Sequence, residues 1–63
     1  MNVIGYPFRT LKEARDMAVK GSRWLAARGC NQILGVNRKT KTVEVPLMVA
    51  VTWPGICDLM TGS

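Results

Sequence analysis

The sequence predicts an α+β fold of β-α-β-β order, in which one amphipathic helix packs on a three-stranded, mainly antiparallel sheet. Three observations support this fold. A capping box at Thr10 and Glu13 opens a long segment with helical periodicity. Residues 42–53 place apolar side chains at alternate positions, which is typical of a strand. A polar, turn-forming run at residues 37–42 precedes that strand and indicates a hairpin.

The chain has 63 residues, and we predict a single small domain over residues 1–63. A domain of this size buries only about 60% of the surface that its unfolded chain exposes, so its stability margin is thin. Self-association is a common remedy, and the predicted domain is therefore a candidate homodimer.

The first strand is predicted at residues 3–8, where Gly5 and Pro7 favour an edge position because proline cannot donate to a ladder. The helix is predicted at residues 11–28, and it ends before Gly29, a residue suited to a helix C-terminus. Its buried arc consists mainly of small side chains: Leu11, Ala14, Ala18, Gly21, Ser22 and Leu25. Such an arc allows close approach to the strands, although a glycine in mid-helix is also a weak point.

The next two strands are predicted at residues 32–36 and 42–53. A four-residue loop at residues 38–41 opposes Val36 to Val43 on the core face, whereas a two-residue loop would oppose Val36 to Lys41. This register leaves residues 48–53 without a partner other than the first strand, which predicts the strand order 2-3-1. The tail at residues 54–63 is expected to form one helical turn or to fold back as an apolar segment.

The second face of the long strand is predicted to carry Met48 and Ala50. The helix cannot cover both faces of the sheet, so either the tail or a second copy of the chain must cover this one. We therefore predict self-association through Met48 and Ala50.

Composition argues against catalysis, a metal site or a cofactor. The chain has no histidine, the commonest general base and metal ligand. Glu13 and Asp16 share the charged solvent face of the helix, and Cys30 follows a helix C-terminus, where the dipole disfavours a thiolate. We predict a protein that is not an enzyme.

The location of the protein is predicted to be cytoplasmic. The first nine residues have neither a basic leader nor a long apolar run, so we expect no signal peptide and two reduced cysteines, Cys30 and Cys57. The longest uncharged stretch, residues 45–57, is shorter than the roughly 20 residues that span a bilayer, so no membrane partner is expected.

The net charge of +5 suits either a polyanionic partner or simply solubility. For nucleic acid, the candidate contacts are the basic residues of the helix face and the hairpin loop, namely Arg15, Lys20, Arg23, Arg38, Lys39 and Lys41. Acidic residues interrupt the helical face, and no aromatic side chain is expected between the cations to stack on a base. Nucleic-acid binding is therefore the alternative function.

Trp24, Met17 and Arg28 are the candidate contact for a protein partner. They share one boundary arc of the helix, and tryptophan and arginine are enriched in binding hot spots. The structural alternative is that Trp24 covers the edge of a core built from small side chains. Both interpretations stay open at this point.

The run Phe8-Arg-Thr-Leu-Lys-Glu-Ala14, followed by a helix, a Gly-Cys-Asn turn and a hairpin, resembles very short phage and prophage accessory proteins. Many of these work by binding a host protein. The resemblance implies a non-catalytic protein that binds a host or cellular protein complex and modulates or inhibits it.

Overall fold

A computed structural model describes residues 2–61 of the chain. The elements in order are β1 (Val3–Pro7), α1 (Leu11–Ala26), β2 (Gly35–Asn37), β3 (Thr42–Pro46), α2 (Leu47–Thr52) and α3 (Gly55–Thr61). The strands form one antiparallel sheet of order β1-β3-β2, and α1 packs on it, which confirms the predicted fold class and strand order.

Both ends of α1 are capped by the residues that the sequence predicts. The Thr10 side chain accepts a hydrogen bond from the Glu13 N–H at 3.1 Å. At the other end Gly29 has a φ of 89°, and the N–H groups of Gly29 and Cys30 donate to the carbonyls of Ala26 and Leu25. This is the bonding pattern of a Schellman motif, so the helical path ends at Gly29 although regular helix ends at Ala26.

The hairpin has the predicted four-residue loop. Val36 lies opposite Val43, and the Asn37 side chain accepts hydrogen bonds from the N–H groups of Lys39 and Thr40. β2 is shorter than predicted and is shifted toward the loop, because the Leu34 N–H donates to the Ser22 hydroxyl. Residues 31–34 are therefore irregular rather than part of a strand.

The prediction of one strand over residues 42–53 is wrong, because β3 ends at Pro46 and residues 47–52 form α2. β1 pairs with all five residues of β3 and β2 with the first three of them, so neither strand offers a partner beyond Pro46. The last bond toward β1 runs from the Leu47 N–H to the Asn2 carbonyl, and Pro46 has no N–H of its own. Residues 47–52 satisfy their backbone hydrogen bonds within a helix, although their apolar side chains alternate along the sequence and include β-branched ones.

The tail forms α3, which is longer than the single turn expected and buries Ile56 and Met60 against α1. Residues 62 and 63 of the predicted tail, and residue 1 of the predicted domain, lie outside the described residues. Among residues 2–61, the core consists of ten buried apolar side chains from α1, the segment before β2, β3, α2 and α3: Ala14, Ala18, Leu25, Leu34, Val43, Val45, Val49, Ala50, Ile56 and Met60.

Gly21 explains the small buried arc of α1. A Cβ at this position would lie 2.6 Å from Leu34 Cδ1 and in direct overlap with the Met60 methyl group. The predicted close approach therefore exists, but it is made with α3 and with the segment before β2 rather than with the strands themselves.

Candidate interaction surfaces

Trp24 and Arg28 lie together on one flank of α1. The Arg28 guanidinium carbon stands 3.7 Å from the centre of the Trp24 ring, and Arg28 Nη1 donates to the Trp24 carbonyl at 3.2 Å. The ring also contacts Gly55, where a Cβ would lie 2.8 Å from Cζ2. The half-buried indole is thus held between α3 and Arg28, so part of its surface serves the fold.

Met17 does not join this pair in one patch. It precedes Trp24 by two turns, about 10 Å along the helix axis. There it lines an open groove beside Phe8 and Met60, whose rim carries Glu13 and Asp16. The three residues predicted as one contact therefore occupy one flank of α1 but two separate places on it.

On a different flank of α1, large apolar side chains of the helix and of the segment before β2 are exposed. Ile33 is 79% exposed and Val19 is 54% exposed. Ile33 stands between two shallow depressions, which are lined on one side by Ala26 and Asn31 and on the other by Val19. Ser22 and Arg23 border both depressions. We call Val19, Ser22, Arg23, Ala26 and Ile33 together the Ile33 surface.

The backbone beneath the Ile33 surface is anchored on both sides. The N–H of Cys30 is bonded to Leu25, and the N–H of Leu34 to Ser22. Leu34 is buried while its neighbour Ile33 points outward, so the two residues have opposite roles. Sequence reasoning missed this surface because it placed Ile33 inside a strand.

The predicted self-association pair is split by α2. Met48 is 79% exposed, whereas Ala50 is 7% exposed and belongs to the core, so the prediction that both share one open sheet face is wrong. On a helix these residues are two apart and face different directions. The exposed neighbours of Met48 are Val51 and Leu47, and we call these three residues the α2 surface.

The six basic residues proposed for nucleic acid do not form one surface either. Arg38, Lys39 and Lys41 lie at the hairpin tip, and Arg15 lies near the start of α1. Lys20 and Arg23 belong to the C-terminal half of α1, which runs away from that end of the sheet. All six residues are exposed.

Tyr6 and Cys57 form a polar contact at the edge of the core. Burial, together with a hydrogen bond and charge interaction with Cys57, raises the pKa of Tyr6 to about 12. Both Cys57 and Cys30 are half-buried free thiols. A tyrosine that holds its proton so firmly is a poor general base at neutral pH.

Within residues 2–61, no three side chains of His, Cys, Asp or Glu gather closely enough to hold a metal ion. Of the helices in the described part of the chain, none is long and apolar enough to cross a membrane. Comparison of the chain with known proteins found no matching family, no matching curated protein and no matching solved structure. The functional assignment therefore depends on the surfaces described above.

Proposed function

We propose that this protein is a non-catalytic binding protein that captures an acidic, partly apolar segment of a partner protein on the Ile33 surface and thereby modulates or inhibits that partner. The observation that carries the proposal is the exposure of Ile33 and Val19 side by side. Isolated exposed apolar residues are ordinary, but adjacent ones on a rigid backbone are typical of an interface.

Rigidity supports this function. The hydrogen bonds at Cys30 and Leu34 hold the loop before complex formation, so little conformational entropy is lost when a partner binds. Ile33 can then enter a pocket on the partner while the depressions on either side of it receive partner side chains.

Charge supports an acidic partner. Val19 lies between Arg15 and Arg23 at four-residue spacing, so the three side chains form one row along α1. Both arginines are exposed at the margin of the apolar surface, where they can pair with carboxylates and steer association. The net charge of +5 acts in the same direction.

Trp24, Met17 and Arg28 are the alternative contact. Trp24 projects about 140° away from Val19 around the helix axis, so one flat partner surface cannot engage both flanks. Arg28 is the useful residue for a test, because it is exposed, whereas Trp24 also contacts α3.

We further propose that copies of the chain associate through the α2 surface. Residues 45–57 contain no charged side chain, so two chains of net charge +5 repel each other least if they meet there. The cytoplasm is the compartment we propose, since both Cys30 and Cys57 are free thiols. The resemblance of residues 8–14 to phage accessory proteins points to a host protein as the partner.

The test is affinity capture followed by reconstitution with the purified captured protein. Ile33→Ser should weaken binding at least about tenfold, as expected for a hot-spot residue. Val51→Ser is the matched control, because Val51 is also apolar, 72% exposed and on a different surface, and binding is measured with the chain dilute enough to be monomeric. Arg23→Gln should weaken binding less and reduce its salt dependence.

Three results would contradict the proposal. Ile33→Ser could capture the same proteins as the unaltered chain with unchanged affinity. Ile33→Ser and Val51→Ser could weaken binding equally. Arg28→Ala could abolish binding while Ile33→Ser does not, which would move the contact to the Trp24 flank.

A further inference from the structure

Three segments of the chain meet at the hairpin end of the sheet. β1 and β2 finish there and β3 begins there, with Pro7 and Asn37 both opposite Thr42. The Phe8 N–H donates to the Lys41 carbonyl at 2.9 Å, and α1 starts three residues after Phe8. The cations that this arrangement brings to one end are Arg9, Lys12, Arg15, Arg38, Lys39 and Lys41.

This set differs from the one that the sequence predicts. Arg9 and Lys12 join it because the hydrogen bond from Phe8 to Lys41 places the start of α1 at the hairpin end, and Lys20 and Arg23 leave it because they lie in the far half of α1. We call the six cations the basic end. All of them are exposed.

Three carboxylates, those of Glu13, Asp16 and Glu44, lie near the basic end, and Glu13 lines a groove together with Arg9. Glu13 and Asp16 line the groove beside Phe8, Met17 and Met60, on the flank of α1 that faces α3. Arg15 lies in the row of Val19, on the flank that faces β2. Counting all three carboxylates, this end still has a net charge of +3, which is more than half of the chain's +5.

The backbone of the basic end is held in place. Asn37 Oδ1 accepts two N–H bonds within the turn, and the Thr42 hydroxyl donates to the Thr40 carbonyl. Lys41 has a φ of 55°, a left-handed backbone conformation that costs energy in a residue other than glycine. Arg38, Lys39 and Lys41 therefore extend from a loop whose backbone is held by hydrogen bonds.

We propose that the basic end binds the phosphodiester backbone of duplex nucleic acid. Phosphate contacts need exposed cations but no recognition of the bases, and the basic end has such cations. Single strands are bound by stacking bases on exposed aromatic rings, whereas Tyr6 and Phe8, the aromatic residues at this end, pack against the core. This surface does not include Ile33 or Val19. It shares Arg15 with the margin of the proposed protein contact, so the variants that test it leave Arg15 unchanged.

The experiment is a fluorescence-anisotropy titration of the whole chain with a duplex of about 20 base pairs over about 50 to 200 mM salt. Four to six phosphate contacts predict a slope of log affinity against log salt of about −4 to −5. DNA duplex, RNA duplex and single-stranded DNA form separate arms, and binding of either duplex more tightly than the single strand supports the proposal.

The deciding comparison uses two double variants that remove equal charge. Arg38→Gln with Lys39→Gln should reduce the slope by about two units, because two phosphate contacts are lost. Lys20→Gln with Arg23→Gln, on the far half of α1, should leave the slope unchanged. Ile33→Ser should also bind nucleic acid normally, which separates this inference from the proposed protein contact.

The inference is overturned if no duplex binds even at about 50 mM salt. It is overturned equally if the two double variants lose affinity to the same extent, because binding would then follow total charge rather than the basic end. A preference for single strands would overturn the assignment to duplex. Far-ultraviolet circular dichroism verifies that each variant is folded.

Discussion

The hydroxyl of Ser22 accepts a hydrogen bond from the Leu34 N–H at 3.1 Å and donates one to the Ala18 carbonyl at 2.7 Å. A polar residue on the buried arc of α1 thus fastens the irregular segment before β2 to the helix. This link sets the position of Ile33, the neighbour of Leu34, and so connects the packing of the core to the proposed contact.

Replacing Ser22 with alanine should lower the free energy of unfolding by about 1–3 kcal/mol, because the part-buried Leu34 N–H loses its partner. Urea denaturation measures the change. Thr52→Ala is the control, since the Thr52 hydroxyl also donates to a carbonyl four residues back but is exposed, and it should cost less than about 0.5 kcal/mol. Equal losses in the two variants would contradict the role given to Ser22.

Gly21→Ala should destabilise the protein by about 1–3 kcal/mol, although alanine is the better helix former by about 1 kcal/mol. The added methyl group would collide with Leu34 and with the Met60 methyl group, and Ile56 also lies near. Thermal unfolding of Gly21→Ala and of the double variant Gly21→Ala with Met60→Ala tests the cause. Removal of the Met60 side chain should make the alanine less costly, and additive effects would show that the collision is unimportant.

Lys41→Gly should stabilise the protein by about 0.5–1 kcal/mol, because Lys41 has a φ of 55° and glycine adopts this conformation without a steric cost. The matched control is Lys39→Gly in the same loop. Its φ is not positive, so glycine should there be neutral or destabilising. The melting temperatures of the two variants and of the unaltered chain test this prediction. A melting temperature of Lys41→Gly below that of the unaltered chain would refute it.

Stability should fall with alkaline pH because of Tyr6. Its pKa is about 12 in the folded chain against an ordinary value of 10.0, so between these values the folded protein retains a proton that the unfolded chain has released. The stability that Tyr6 contributes is thus fully present below pH 10 and is lost as the pH rises toward 12.

Tyr6 is the only tyrosine, so the phenolate absorbance of the folded protein reports its pKa directly. Denaturation at a series of pH values measures the loss of stability, and Tyr6→Phe separates it from the titration of lysines. If Tyr6→Phe loses stability between pH 10 and 12 as steeply as the unaltered chain does, the phenol is not responsible.

Self-association through α2 predicts a concentration-dependent mass in sedimentation experiments. Met48→Glu should give a monomer, because a charge placed on the uncharged α2 surface must be desolvated when two copies meet. Ile33→Glu is the matched control, since Ile33 is just as exposed and lies on another surface. A monomeric unaltered chain at high concentration, or a dimer that survives Met48→Glu, would exclude this interface.

Much of the fold could be predicted because its signals are local. The Thr10 N-cap, the glycine after the helix and the four-residue loop each depend on residues close together in sequence, and the structure contains all three. The long strand was mispredicted because alternation reports which side chains are apolar but not whether a neighbouring strand exists to pair with. Because β1 pairs with residues 42–46 and β2 with residues 42–44, neither strand reaches residues 47–52, which form α2 instead.

The properties of this protein can be separated into those that the sequence determines and those that only the tertiary structure determines. The sequence by itself determined the fold class, the strand order, the ends of α1 and the chemical character of the chain: basic, without histidine and with a small-residue helix face. Only the tertiary structure decided which exposed residues lie together. It made Ile33 a neighbour of Val19, buried Ala50, and brought the start of α1, with Arg9 and Lys12, to the hairpin end of the sheet. The reason is physical: caps and turns are set by adjacent residues, whereas a surface is set by contacts between distant segments, and these follow from where backbone hydrogen bonds can be satisfied.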